Sequence, residues 1–217
     1  MDFISSIKFF EFNNLHHEHI SYGTLNDSDG NPFKTRDGGT KPLGELFEET
    51  YEYIKNINSD LEDSTIKQLA NSVLTFSDLI TNRKTDYKFD LEKFTNVNGK
   101  TGIYIQYAQV RAKKLLQGLK NNTPSTLIVN EVDNKLLSKL FLFGYFLEKS
   151  ASLNEPHHLA NYLYEISNLF NQFYEYEKIS DITDVDQIKS KTYIANLFLT
   201  TSNSAMLCLG ISPVSKM

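Results

Sequence analysis

The chain of 217 residues has no tryptophan and one cysteine, Cys208. A lone thiol excludes an internal disulfide and any zinc set built on several cysteines. Its apolar neighbourhood predicts a buried free thiol in a reducing compartment, and the cytoplasm fits. No apolar run reaches the roughly 20 residues needed to span a bilayer, so no membrane association is expected. Met1 to Phe10 has an early acid and an interrupted apolar stretch, unlike a secretory signal. Internal repeats and low-complexity segments are also missing. Positive charge is in deficit, with a formal net charge of -5. That argues against a binder of nucleic acid, DNA included, held by a strong overall positive field. A partner recognised by shape through one local face remains compatible.

What is present is aromatic and aliphatic. Fifteen Phe and 12 Tyr, within a hydrophobic content of 40% against 23% charged, describe a globular chain of one ordinary domain plus an appendage. Charge is unevenly placed. From Gly99 to Asn130 the charged residues are Lys100, Arg111, Lys113, Lys114 and Lys120, all basic. After Asp186 only Lys189, Lys191 and Lys216 are charged, while acids collect in Glu45 to Glu62 and Glu165 to Asp186. Such a basic stretch reads either as a solvated face or as a local anion-binding face.

Periodicity is mostly helical. Asp2 to Phe12 reads as a short helix and His19 to Leu25 as one short strand. A lone strand needs a sheet, so this one is expected to be poorly anchored or to pair with another molecule. Leu43, Leu46, Phe47, Thr50, Tyr51 and Ile54 recur at helical spacing. Asp63 or Ser64 is placed to cap a second helix carrying Ile66, Leu69, Ala70, Val73, Leu74 and Leu79. Asn82 to Asn98 is a polar connection with apolar knobs. A helix is expected from about Thr101 to Leu119, another from Val132 to Lys149, where Gly144 marks close packing, and a third after Asn154-Glu155-Pro156 with the stripe Leu159, Leu163, Ile166, Phe170 and Phe173. The last helix spans Ile188 to Leu209 and stops at Gly210. The fold class is mainly α, a helical bundle with a small mixed α/β piece at its N-terminus.

Three constellations carry possible chemistry. Phe33 to Thr40 holds two bases, two hydroxyls and two glycines on a loop ahead of a helix, which can gather oxyanions or be a solvated loop. His16-His17-Glu18-His19 has metal-ligand residue types, but no second pair completes a set, so no metal is assigned; His157-His158 reads as exposed. Tyr104, Tyr107 and Tyr174 are polar-tipped aromatics suited to stacking unpaired bases, or core residues.

Residues Pro32 to Leu43, PFKTRDGGTKPL, resemble the second signature loop of arginyl-tRNA synthetases, a degenerate Lys-Met-Ser-Lys-Ser loop. Asn82-Arg83-Lys84-Thr85-Asp86-Tyr87-Lys88-Phe89-Asp90 is similar to that family's Asn-Arg-x-x-Asp-Tyr-x-Phe-Asp segment, and Gly99 to Arg111 to its Gly-x-Thr-x-x-Tyr-x-Gln-Tyr-Ala-x-x-Arg helix start. Glu155-Pro156 through Asn171-Gln172-Phe173-Tyr174, and the ending Leu209-Gly210-Ile211-Ser212-Pro213 to Met217, resemble its last signatures. These run in family order over most of the chain.

The resemblance implies a remnant of the class I catalytic domain at 1–44, a helical connecting region at 45–98 and a helical anticodon-binding domain at 99–217. It implies a tRNA-binding C-terminal portion of an arginine–tRNA ligase, with arginine-accepting tRNA as partner. Lys34, Thr35 and Arg36 match positions that clamp ATP phosphates. The family's His-Ile-Gly-His-type motif and nucleotide-binding half are not seen, so the chain alone is expected to be inactive, with ATP and Mg belonging to the complete enzyme and none bound here. Tyr104, Ala108, Tyr174 and Met217 match positions that shape the anticodon pocket. Tyr107 and Arg111 lie in the same helix start, and Lys113 and Lys114 are candidate phosphate contacts. Lys189 and Lys191 stand where the family usually has arginine, which puts a bidentate contact in doubt. The alternatives are a missing catalytic half as partner, or a free-standing paralogue that associates with itself or another protein.

Overall fold

A computed structural model describes residues 18–26, 42–88, 90–96, 98–117, 123–177 and 179–217. The expected helix at Asp2 to Phe12, His16, His17 and the loop carrying Lys34, Thr35 and Arg36 lie outside the described residues.

Described are helices α1 (Leu43–Ile57), α2 (Asp63–Leu79), α3 (Leu91–Phe94), α4 (Gly102–Leu116), α5 (Glu131–Leu140), α6 (Phe143–Leu153), α7 (His157–Tyr176) and α8 (Val185–Cys208). A 3-10 turn, Ile179–Asp181, leads into α8, and two short strands are β1 (Leu25–Asn26) and β2 (Tyr87–Lys88). The protein is thus a helical bundle. Helix α4 packs on α2, α7 and α8, while α7 also gathers α5 and α6. The larger core holds Phe76, Ile105, Leu136, Leu163, Phe170 and Phe198, and the smaller one joins Ile54, Leu69, Val73, Phe94 and Ile103 to Val214 of the C-terminal tail. The α7 stripe Leu159, Leu163, Ile166, Phe170 and Phe173 is buried as its spacing predicts.

The strand is shorter than expected and is not an orphan. Leu25 pairs in parallel with Tyr87, and Asn26 with Lys88. The preceding residues are held by side chains. Thr24 N–H donates to Asp86 at 2.7 Å, and those bonds from Thr24 keep the Asp86 carboxyl below its usual range. The Arg83 guanidinium donates to the carbonyls of Ser21 and Asn154.

Helix ends show further differences. Neither Asp63 nor Ser64 caps α2; Glu62 occupies that position, and Asp63 instead accepts from Tyr51 and Lys67. Helix α8 begins at Val185, earlier than expected, because the Asp184 carboxylate accepts from Asp186 N–H at 2.8 Å and Gln187 N–H at 3.2 Å. Its end follows expectation: Gly210 has φ +73°, and Ile211 N–H reaches the Met206 carbonyl at 2.9 Å, the paired closure that a left-handed residue allows. Cys208 is exposed, contrary to expectation, because the last turn of α8 buries Met206 and Leu209 instead.

The expected single helix over Val132 to Lys149 is two, α5 and α6. The buried Tyr162 hydroxyl donates to the Leu140 carbonyl at 3.1 Å, taking the acceptor that a continuous helix would offer to Gly144. Gly144 is not a close-packing site: a Cβ there meets nothing within 4 Å. Gly144→Ala is therefore expected to stabilise the protein by about 0.5–1 kcal/mol, read as a raised midpoint in urea. A lowered midpoint would show that the open space is used.

Candidate nucleic-acid interface

Helix α4 begins where Thr101 caps it, the hydroxyl accepting from Tyr104 N–H at 3.1 Å. Tyr104, Tyr107 and Arg111 then recur along one face. They meet a polar stripe of α7 made by Asn161, Tyr164, Asn168, Asn171 and Glu175. The Tyr104 hydroxyl donates to Asn168 Oδ1 at 3.2 Å, and its ring lies 5.4 Å from that of Tyr164. The Arg111 guanidinium lies 4.3 Å from the Tyr107 ring centre and 4.9 Å from that of Tyr174. It donates to Asn171 Oδ1 at 3.1 Å and to Glu175 Oε1 at 2.8 Å. Partial burial opposes its charge, but Glu175 and Tyr107 outweigh that and raise its pKa. The four tyrosines are half-buried, so they serve the packing and a surface seam at once.

The other face of α4 does something else. Gln106 donates to the Ser212 carbonyl at 2.8 Å and accepts from Val214 N–H at 2.9 Å. Lys113 donates to the Val214 carbonyl at 2.7 Å, and burial pushes its pKa down. This lysine fastens the tail. The tail continues to Lys216, paired with Glu62 at 3.0 Å, and to Met217, which is exposed. Ala108 is fully buried in the larger core. Lys114 is exposed, and Lys120 lies outside the described residues. The basic run therefore divides between two faces of one helix.

Lys191, read from sequence at a position where arginine is usual, is buried. Its ammonium sits 2.7 and 2.9 Å from the two Asp133 oxygens and 5.1 Å from the Phe173 ring centre. Lys189 pairs with Asp186 at 2.7 Å on the surface.

Glu155, His157 and His158 offer ligand atoms within 4.8 Å of one another at the start of α7. Both histidines are half-buried rather than exposed. Burial and the neighbouring His158 hold His157 below its ordinary value, and the Lys84 ammonium 3.2 Å away already balances Glu155. The Lys84–Glu155 pair ties the polar connection to the start of α7.

The sequence singles out Tyr174 of α7 and passes over the other seam residues of that helix. Asn161, Tyr164, Asn168 and Asn171 follow a helical repeat beside the apolar stripe, so the signal was present as a polar face of unusual amide content.

Residues 105–217 match the profile of the DALR anticodon binding domain, and residues 3–91 that of the class I tRNA synthetases (R), catalytic domain. An arginine–tRNA ligase of Francisella tularensis subsp. novicida is 35% identical over 211 residues, covering 92% of this chain and 36% of the relative. The arginine–tRNA ligase of Alcanivorax borkumensis is 33% identical over the same shares. The chain thus spans about a third of the length of these curated relatives. Among solved structures, Thermus thermophilus arginyl-tRNA synthetase superposes with a TM-score of 0.81 at 21% identity, over 92% of this chain and 35% of that one. Arginyl-tRNA synthetase from Plasmodium falciparum gives 0.76 at 21% identity, over 99% and 39%.

Proposed function

We propose that this chain, which belongs to the DALR anticodon binding domain family, binds arginine-accepting tRNA through the α4–α7 seam. The observation that carries the reading is Arg111, whose guanidinium lies 4.3 Å from the Tyr107 ring centre and 4.9 Å from that of Tyr174. A planar cation beside two half-buried tyrosine rings is suited to an unpaired base and its phosphate. Tyr104 extends the aromatic surface, Lys114 adds an exposed cation, and Ala108 acts from beneath by allowing close packing. Lys113 and Met217 take part through the tail. Residues 1–44 and 45–98 act as the catalytic remnant and connecting region that carry this module, residues 99–217, in the cytoplasm.

The catalytic role belongs to a larger assembly. Lys34, Thr35 and Arg36 would clamp ATP phosphates, with Mg, only where a nucleotide-binding half positions both substrates. Residues 1–217 alone are proposed to form no arginyl adenylate, so ATP–pyrophosphate exchange stays at background. One of the two motives for the self-association reading weakens, because Leu25 of the expected strand pairs with Tyr87 within the chain.

The test is binding of the chain to arginine tRNA and a non-cognate tRNA at two salt concentrations. Affinity should favour the arginine tRNA and fall as salt rises, by about 0.7 log unit per log unit of salt for each single-strand phosphate contact. Arg111→Ala should weaken binding at least about tenfold, the scale of one lost base stack. Lys113→Ala should instead lower stability more than affinity. Equal binding of both tRNAs, or an indifferent Arg111→Ala, would overturn the reading.

A further inference from the structure

The polar stripe of α7 repeats itself. Asn161 and Tyr164 recur ten residues on as Asn171 and Tyr174. Each pair has a cation from the α4 side. Arg111 bonds Asn171 at 3.1 Å and lies 4.9 Å from the Tyr174 ring centre. Lys100, just before the α4 cap, bonds Asn161 Oδ1 at 2.9 Å and lies 5.5 Å from the Tyr164 ring centre. Ten residues of helix advance about 15 Å. That is more than four times the 3.4 Å spacing of stacked bases, so one base cannot touch both places.

We propose that the seam carries two separate base stations, and that Lys100, Asn161, Tyr164 and Asn168 form the second, taking another unpaired nucleotide of the same RNA loop. This rests on the tRNA reading above. Tyr164 is half-buried with its ring against Tyr104, giving an aromatic surface of two rings. The Asn168 carboxamide offers its N–H groups and the Asn161 carboxamide its oxygen to a base edge, and Lys100 offers its ammonium to the adjoining phosphate. Both amides are held. Asn161 donates to the His157 carbonyl at 2.8 Å and the Ile80 carbonyl at 3.4 Å, and Asn168 accepts from Tyr104 at 3.2 Å. Held amides read an edge at little ordering cost.

The stations differ in their charge balance. Glu175 occupies Arg111 in the first. The residue ten positions earlier, Glu165, turns away to Lys139 instead. Among the described residues no carboxylate pairs with Lys100. The second station is therefore open to a phosphate in the free protein, whereas the first must displace Glu175.

The experiment uses the whole chain and anticodon stem–loop RNAs of arginine tRNA, each with one loop nucleotide made abasic, followed by fluorescence anisotropy. Wild type should show two non-adjacent nucleotides whose loss weakens binding about tenfold or more. The Lys100→Ala, Asn161→Ala double variant should weaken binding to the intact loop about tenfold and become indifferent to one of these nucleotides only. Arg111→Ala should become indifferent to the other. Lys100→Gln, which keeps the aliphatic stem, should reproduce part of the loss without disturbing the fold. Wild-type affinity in the double variant, or loss of sensitivity at the same nucleotide in both variants, would overturn the second station and leave the tRNA reading standing. A wild type that binds no stem–loop at low salt would overturn both.

Discussion

Gly102→Ala is expected to destabilise the protein by about 3 kcal/mol, the upper end for an overpacked site. A Cβ on Gly102 would lie 2.2 Å from the Ser72 carbonyl oxygen and 2.8 Å from the Val73 nitrogen. Both are backbone atoms in the middle of α2, so no side chain can swing aside. Gly102 is the first residue of α4, where alanine would otherwise favour the helix. The steric term is opposed by a helix gain of about 1 kcal/mol or less and should still dominate. Urea unfolding should show a lower midpoint with an unchanged slope. Because α4 carries Tyr104, Tyr107 and Arg111, pushing its start away from α2 should also weaken RNA binding. The control is Gly144→Ala, the same chemical change at an open position, with the opposite sign. A change at Gly102 within 0.5 kcal/mol would mean that α4 can shift freely on α2.

The second large effect concerns Lys191 and Asp133, each 1% exposed. Lys191→Met leaves the Asp133 carboxylate buried without its cation and is expected to cost about 3–5 kcal/mol. Asp133→Leu leaves the ammonium to the more distant Glu177, 3.7 Å away, and also removes the reciprocal cap of α5, in which Asp133 accepts from Asn130 N–H at 3.0 Å. It should cost about 1 kcal/mol more than the lysine change. The double variant should recover most of the loss, since two apolar side chains need no partner. Additive losses in this cycle would show that the two groups do not depend on one another. RNA affinity measured well below the unfolding midpoint should hardly change in any of the three. That outcome would place Lys191 in the framework rather than at the nucleic-acid surface, whatever its position in the sequence suggests.

Much of the bundle was legible because burial on a helix leaves a repeat. The stripe from Leu159 to Phe173, the Gly210 stop and the proline at the entry to α7 follow from spacing, from a left-handed turn and from the missing N–H of Pro156. Family likeness was carried by motif order over most of the chain, a property of sequence alone. The break between α5 and α6 was not legible, because it depends on a hydroxyl from a residue 22 positions away. The partner of β1 was also hidden, lying 62 residues downstream in a polar connection with little strand pattern.

The candidate site divides in the same way. The sequence by itself determined that Tyr104 and Tyr107 precede Arg111, Lys113 and Lys114 on one helix. Only the tertiary structure decided which cations remain at the surface. Lys113, two residues from Arg111, is turned to the tail, and Lys191 is sealed against Asp133, while Arg111 and Lys100 lie along α7. The physical reason is that periodicity orders residues around one helix axis, whereas the neighbours that neutralise or expose a charge come from helices distant in the chain.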